Sequence, residues 1–165
     1  MAQGKLQGMD KVIARLNKEI LALKSISIQG LIEASIVIRR DMEVTSPVIP
    51  VDMGNLRASW FTVTKISTTK EGGFKGKDKG QVMQDTNAAV TNAKGVVNTL
   101  KVPILIMGFG ANYAVYVHEN VGANFTGKGE GDRRQGAGAK FLEASLNRNK
   151  AEVLKILRNN LIIPK

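Results

Sequence analysis

The sequence predicts a mixed helix-and-strand fold: long N-terminal and C-terminal helices, short strands between them, and a long extended loop or hairpin insertion. Three observations predict it. Apolar residues recur at helical spacing through the first third and again near the C-terminal end, a short run from Trp60 alternates at strand spacing, and residues 67–100 turn to Lys, Gly, Asn and Thr. With 165 residues the chain fits one domain, 1–165, and a fold of that size buries roughly 70% of the surface its unfolded form exposes. Aromatics make up 5% of the chain, so the interior should be aliphatic and the single Trp60 conspicuous.

Residues 1–8 read as a flexible N-terminus. Met9, Val12, Ile13, Leu16 and Ile20 then fall on one helical face, with Lys11, Arg15, Lys18 and Glu19 on the other, which predicts an amphipathic helix from about Met9 to Lys24. Ile28, Leu31, Ile32, Ile36 and Met42 continue the pattern after an expected break at 25–27. It stops where Pro47 biases Ser46 away from helical geometry. From Trp60 to Ile66, Phe61 and Val63 alternate with Thr62 and Thr64, a strand pattern rich in aromatic and β-branched residues.

Residues 67–100 carry Gly72, Gly73, Gly76, Gly80 and Gly95 among scattered apolar residues. They read as an extended Lys/Gly-rich hairpin or a mobile arm, a length that suggests a role in binding. Lys101 to Phe109 is β-like, with Pro103 marking a strand start or an edge. Tyr113 to His118 reads as a strand with Tyr113, Val115 and Val117 on one face; a helical turn grouping Tyr113, Tyr116 and Val117 is the other reading. Residues 120–139 form a second Gly-rich segment, expected to be a mobile surface loop carrying Arg133 and Arg134. Phe141, Leu142, Leu146, Val153, Leu157 and Leu161 stripe a final helix ended by Pro164.

Lys and Arg outnumber Asp and Glu by 24 to 14, for a net charge of +10, which favours a polyanionic neighbour such as nucleic acid or an acidic protein surface. There is no cysteine, so neither a disulfide framework nor a Cys-based zinc site is available. No uninterrupted apolar run reaches the roughly 18 residues of a membrane span or forms a secretory core. Export by a signal peptide and contact with a membrane are therefore not expected.

Candidate chemistry is sparse. His118 beside Glu119 invites a metal or acid–base reading, but a zincin needs two histidines around its glutamate and His118 is the only one. Gly108-Phe109-Gly110-Ala111-Asn112-Tyr113 starts like a dinucleotide fingerprint and then has Tyr113 at the third glycine position. Gly127-Lys128-Gly129 lacks the spacing and the Ser or Thr of a phosphate loop, and no Gly-x-Ser-x-Gly elbow exists. The reading is a non-enzymatic protein without catalytic residues, cofactor or metal. Lys65, Lys70, Lys75, Lys77, Lys79, Lys94 and Lys101 cluster in or beside the insertion, where they are either a solvated surface or contacts to phosphates. Base stacking would want interleaved aromatics, and Phe74 stands alone.

The segment Val51-Asp52-Met53-Gly54-Asn55-Leu56-Arg57-Ala58-Ser59-Trp60 has its own physics. Asp52 can accept from the backbone N–H of Gly54 or Asn55 as an N-cap or Asx-turn does, while Gly54 permits a backbone angle other residues avoid. Such a turn would set where Leu56 and Trp60 enter the core. Arg57 would bridge to a carboxylate in the same or a neighbouring subunit; the plainer alternative is a well-made turn with no further role.

Read in order with Tyr113-Ala114-Val115-Tyr116-Val117-His118-Glu119 and with Phe141-Leu142 at the head of the last helix, this segment resembles the tail-completion or neck (head–tail connector) proteins of long-tailed bacteriophages. Met53 stands where that family usually has Thr or Ser, His118-Glu119-Asn120 replaces a more usual Glu-aromatic-Gly, and the insertion is longer than typical. The resemblance implies an α+β structural virion protein, with an antiparallel sheet packed by the long N-terminal and C-terminal helices, that forms a ring, expected to be sixfold, around the DNA channel. Its implied partners are further copies of itself, neighbouring neck proteins on the adaptor or portal side, and the tail terminator or tail tube. The implied location is the virion neck, reached from the host cytoplasm during assembly. Asp52, Gly54, Asn55, Leu56, Arg57, Ser59, Trp60, Tyr113, Tyr116, His118, Glu119, Phe141 and Leu142 become structural or interface positions; Lys75, Lys77, Lys79, Arg133 and Arg134 become candidate contacts to DNA or to neighbours. The alternative reading is a small basic protein that binds nucleic acid without sequence preference and works alone.

Overall fold

A computed structural model of the chain describes residues 9–125 and 135–161. Its elements in order are α1 (Met9–Val44), α2 (Asn55–Ala58), β1 (Trp60–Thr64), β2 (Thr68–Lys70), α3 (Lys79–Thr99), β3 (Leu105–Phe109), α4 (Ala114–Glu119) and α5 (Phe141–Asn160). The fold is α+β, with an antiparallel sheet of order β2-β1-β3. Residues 1–8 and the Arg133–Arg134 pair lie outside the described residues.

α1 runs without the break expected at 25–27. Ser27 and Ser35 turn their hydroxyls onto the helix's own carbonyls, Leu23 O at 2.8 Å and Ile32 O at 2.7 Å, so neither competes with the ladder. Ile28, Ala34, Ile38 and Met42 are buried and α5 packs antiparallel along this half. The clamp is sealed by Ser145 Oγ donating to Ile38 O at 3.0 Å and by Arg148 pairing with Asp41 at 2.6 Å. Among the described residues α1 is long and apolar enough to cross a membrane, with a window of mean hydropathy 1.6 between Ile13 and Val44. Lys24 and Glu33 interrupt its apolar run, and its C-terminal half turns its apolar face to the core.

The sheet is covered on both faces. Trp60, Met107 and Phe109 point toward α1 and α5, in one cluster with Ile38, Met42 and Phe141. Phe61, Val63 and Ile106 point the other way, against Val90, Ala93 and Val97 of α3. Strand alternation sends successive side chains to opposite layers, and here both layers are helical.

The insertion is where expectation and structure part. β2 pairs with β1 to make the start of a hairpin, but residues 79–99 form a helix, not an extended arm. Val82, Thr86, Val90, Ala93 and Val97 are its buried face, spaced by four and three residues as one stripe. Gly80 and Gly95 both lie within this helix, where a Cβ at either would meet nothing within 4 Å. Tyr113–His118 is a second correction: it is helical from Ala114, not a strand, with Ala114 N donating to Ala111 O at 2.9 Å. Tyr113 and Val117 pack on the core while Tyr116 is exposed. Of the 120–139 segment, the described residues 136–138 are tied back by Val48 N to Gly136 O at 2.9 Å and Gly138 N to Val48 O at 3.2 Å.

Candidate functional site

The three motif segments meet in one place. Leu56 and Trp60 share a cluster with Ala111, Ala114 and Phe141, against which Tyr113, Val117 and Leu142 also pack. The rings meet edge to face, which suits their quadrupoles: Trp60 on Phe109 at 5.1 Å, Phe109 on Phe141 at 5.5 Å and His118 on Phe141 at 5.0 Å between centroids. Phe141 is wholly buried although it opens a helix. The backbone at Lys140, just before it, takes the left-handed conformation with φ 58°.

The turn at Asp52 is built differently from the capping scheme. Gly54 does have positive φ, 85°, as the N-cap of α2, but no side chain caps that helix and Asp52 is exposed. The turn is instead secured by Asn55, whose amide donates to Lys75 O at 2.9 Å and whose carbonyl accepts from Lys75 N at 2.8 Å. A buried amide that satisfies both backbone groups of one residue fixes the 71–78 segment against the motif. Ser59, also buried, donates to Leu56 O at 2.7 Å, and its carbonyl accepts from Gly110 N at 2.9 Å. Gly110 is required there by close approach, since a Cβ would stand 2.4 Å from Thr86 Cα.

Arg57 finds its carboxylate within the chain. It pairs with Glu43 at 2.9 Å; Glu43 also meets Arg39, and Arg39 forks onto Glu71 at 2.9 and 3.0 Å while lying 5.7 Å over the Trp60 ring. Burial works against the Arg39 charge, but its bonds to Glu71 and Glu43 outweigh burial and hold its pKa above the ordinary value. Arg39 and Glu43 are an i,i+4 pair on α1 that the sequence can show, but Arg57 to Glu43 and Arg39 to Glu71 join residues far apart along the chain and have no local signal.

His118 donates from Nδ1 to Glu119 at 2.6 Å, while its Nε2 is buried with no hydrogen-bond partner among the described residues. Glu119 also meets Lys140, and bonds from Lys140 and His118 hold its carboxyl below the usual range. Lys140 is raised in turn by Glu119 and Glu143. No group of three or more His, Cys, Asp or Glu that could hold a metal lies among the described residues. A cleft of about 450 Å³ is lined by Asp52, Gly54, Asn55, Asp78, Tyr113 and Phe125, among others. Burial first, then the charges of Asp52 and Asp78, push the pKa of the Tyr113 hydroxyl above its ordinary value.

The lysines divide into two groups. Lys75, Lys77 and Lys79 are exposed beside the cleft, whereas Lys65 and Lys94 line a shallow depression at the Thr64 end of β1. Lys70 is engaged with Asn87 at 2.7 Å. No protein-family model matches the chain, and neither a curated protein nor a solved structure matches it.

Proposed function

We propose that the chain is a structural subunit of a bacteriophage neck or tail, a tail-completion or head–tail connector protein that closes into a sixfold ring around the DNA channel. The observation that supports this most is the convergence of the three motif segments on one rigid core whose outer side presents Val115, Tyr116 and Val121 at 72, 70 and 76% exposure. Large apolar side chains held outward by a fixed scaffold suit contact between subunits. Copies of the chain are the first partners; neighbouring neck proteins and the tail terminator or tube are the next.

Lys75, Lys77 and Lys79 belong to a segment pinned by Asn55. A ring would repeat that small patch around the channel and favour passage of DNA by sequence-independent phosphate contact.

Imaging of purified particles is the test. The chain is expected as a ring in the neck or tail, and Tyr116→Asp should leave melting unchanged while blocking the joining of heads to tails. A single copy, or a place elsewhere in the particle, would sink the proposal; tight DNA binding by the free chain with a steep salt dependence would favour the alternative.

A further inference from the structure

The N-terminal part of α1 is amphipathic, yet nothing among the described residues packs on it. Every residue from 13 to 22 is exposed, with Ile13, Leu16 and Ile20 at 49, 52 and 47%. α5 ends opposite Glu33, where Asn160 donates at 2.8 Å. From there toward Met9, α1 continues for about 36 Å at 1.5 Å per residue.

Within this segment Ile13, Leu16, Ile20 and Leu23 alternate steps of three and four residues. That is a heptad seam with Ile at a and Leu at d, the combination that favours two parallel helices. The sequence carries the same spacing back to Met9 and Leu6. In this register Glu19 is a g residue and Lys24 the e residue of the following heptad. A parallel pair in register sets Glu19 of each copy against Lys24 of the other, while an antiparallel pair brings g to g and e to e, like charge against like. Glu19 pairs with Arg15 at 3.1 Å in the single chain, but with those side chains 57 and 83% exposed the pair is readily exchanged.

We propose that residues 13–24 of α1 dock onto the same segment of a second copy of this chain as a parallel two-stranded seam. The charges at g and e and the narrow apolar stripe fit another such helix. A lipid surface would use the stripe without reading Glu19 and Lys24. With four apolar side chains per copy the seam is short, so association in free solution is concentration-dependent. The seam and the ring fail separately: a ring can close through other surfaces, and a seam in solution requires no ring.

The chain has no cysteine, so an introduced thiol reports without background. Leu16→Cys places it at a d position, where two parallel copies face each other. Mild oxidation of the full chain should then give a disulfide-linked dimer about tenfold faster than Arg15→Cys, whose c position points outward. Adding Ile20→Lys to Leu16→Cys should remove the excess; all three sites are exposed, so folding is not at stake. Equal rates at 15 and 16, or no effect of Ile20→Lys, would overturn the proposal. It is equally overturned if cross-linking stays at the Arg15→Cys level while phosphatidylserine vesicles bind the chain and Ile20→Lys abolishes that binding; the stripe would then be a membrane contact.

Discussion

The two faces of the central sheet are packed by different means. Toward α1 and α5 the contacts are aromatic and ionic: Trp60, Phe109 and Phe141 meet edge to face, and Arg39, Glu43, Arg57 and Glu71 make a chain of ion pairs across the surface above them. Toward α3 they are small and aliphatic, with Val63, Val90, Ala93 and Val97 under Phe61. Among the described residues no ion pair joins α3 to the sheet. One face therefore depends on large, directional groups and the other chiefly on aliphatic fit around Phe61, with Lys70 of β2 donating to Asn87 of α3 at 2.7 Å. The motif segments converge on the first face, while the second receives Phe61 and Val63, the other half of the same strand's alternation.

The sharpest test sets Phe141→Ala against Val97→Ala. Both positions are almost wholly buried, at 0 and 1% exposure. The first should cost about 3–5 kcal/mol and the second roughly 2 kcal/mol, read from urea midpoints at constant slope. Equal costs would break the contrast. Next comes Gly110→Ala, which drives a methyl into the Thr86 backbone where the two layers meet and should cost about 1–3 kcal/mol by overpacking; a neutral result would mean that α3 can slide.

Asn55→Ala should cost about 1–2 kcal/mol through its two lost bonds to Lys75, and should speed hydrogen exchange in residues 71–78. A smaller effect is expected on acidification. Burial raises the Asp41 carboxyl, but hydrogen bonds led by that from Arg148 hold it below its ordinary value. A depressed folded pKa gives stability that is fully present above the unfolded value of about 4 and lost as pH falls through the folded one. Denaturation at pH 7 and pH 3 should therefore show an acid loss that Asp41→Asn reduces; an unchanged loss would assign it to other carboxylates. Asp52→Ala should change stability by less than about 0.5 kcal/mol, because Asp52 is exposed and caps nothing. A melting shift as large as that of Asn55→Ala would reinstate the capping role.

Much of the motif face was legible. Trp60 and the Phe61/Val63 alternation announce a strand, Gly54 announces a special backbone angle, and Phe141 opens the last helix as read. Within the candidate site, the partners were not legible: Asn55 reaches Lys75 and Arg57 reaches Glu43 across turns whose geometry no local pattern encodes. Asp52 had the right chemistry for a cap, yet no side chain caps α2, and the turn is held by the Asn55 amide on the Lys75 backbone. Tyr113 to His118 satisfied both periods over so few residues that only its surroundings chose between them.

By itself the sequence determined the amphipathic ends of the chain, the strand at Trp60, the positive charge and the absence of cysteine chemistry, because periodicity and composition act residue by residue. The tertiary structure alone decided that residues 79–99 are a helix. Their buried stripe of Val82, Thr86, Val90, Ala93 and Val97 is visible at helical spacing once sought. It is sparse and mixed with glycine, lysine and asparagine, so its propensity is low. Such a helix draws most of its stability from packing, and the surface that stabilises it, Phe61 and Val63 on the far side of the sheet, exists only after the strands have paired.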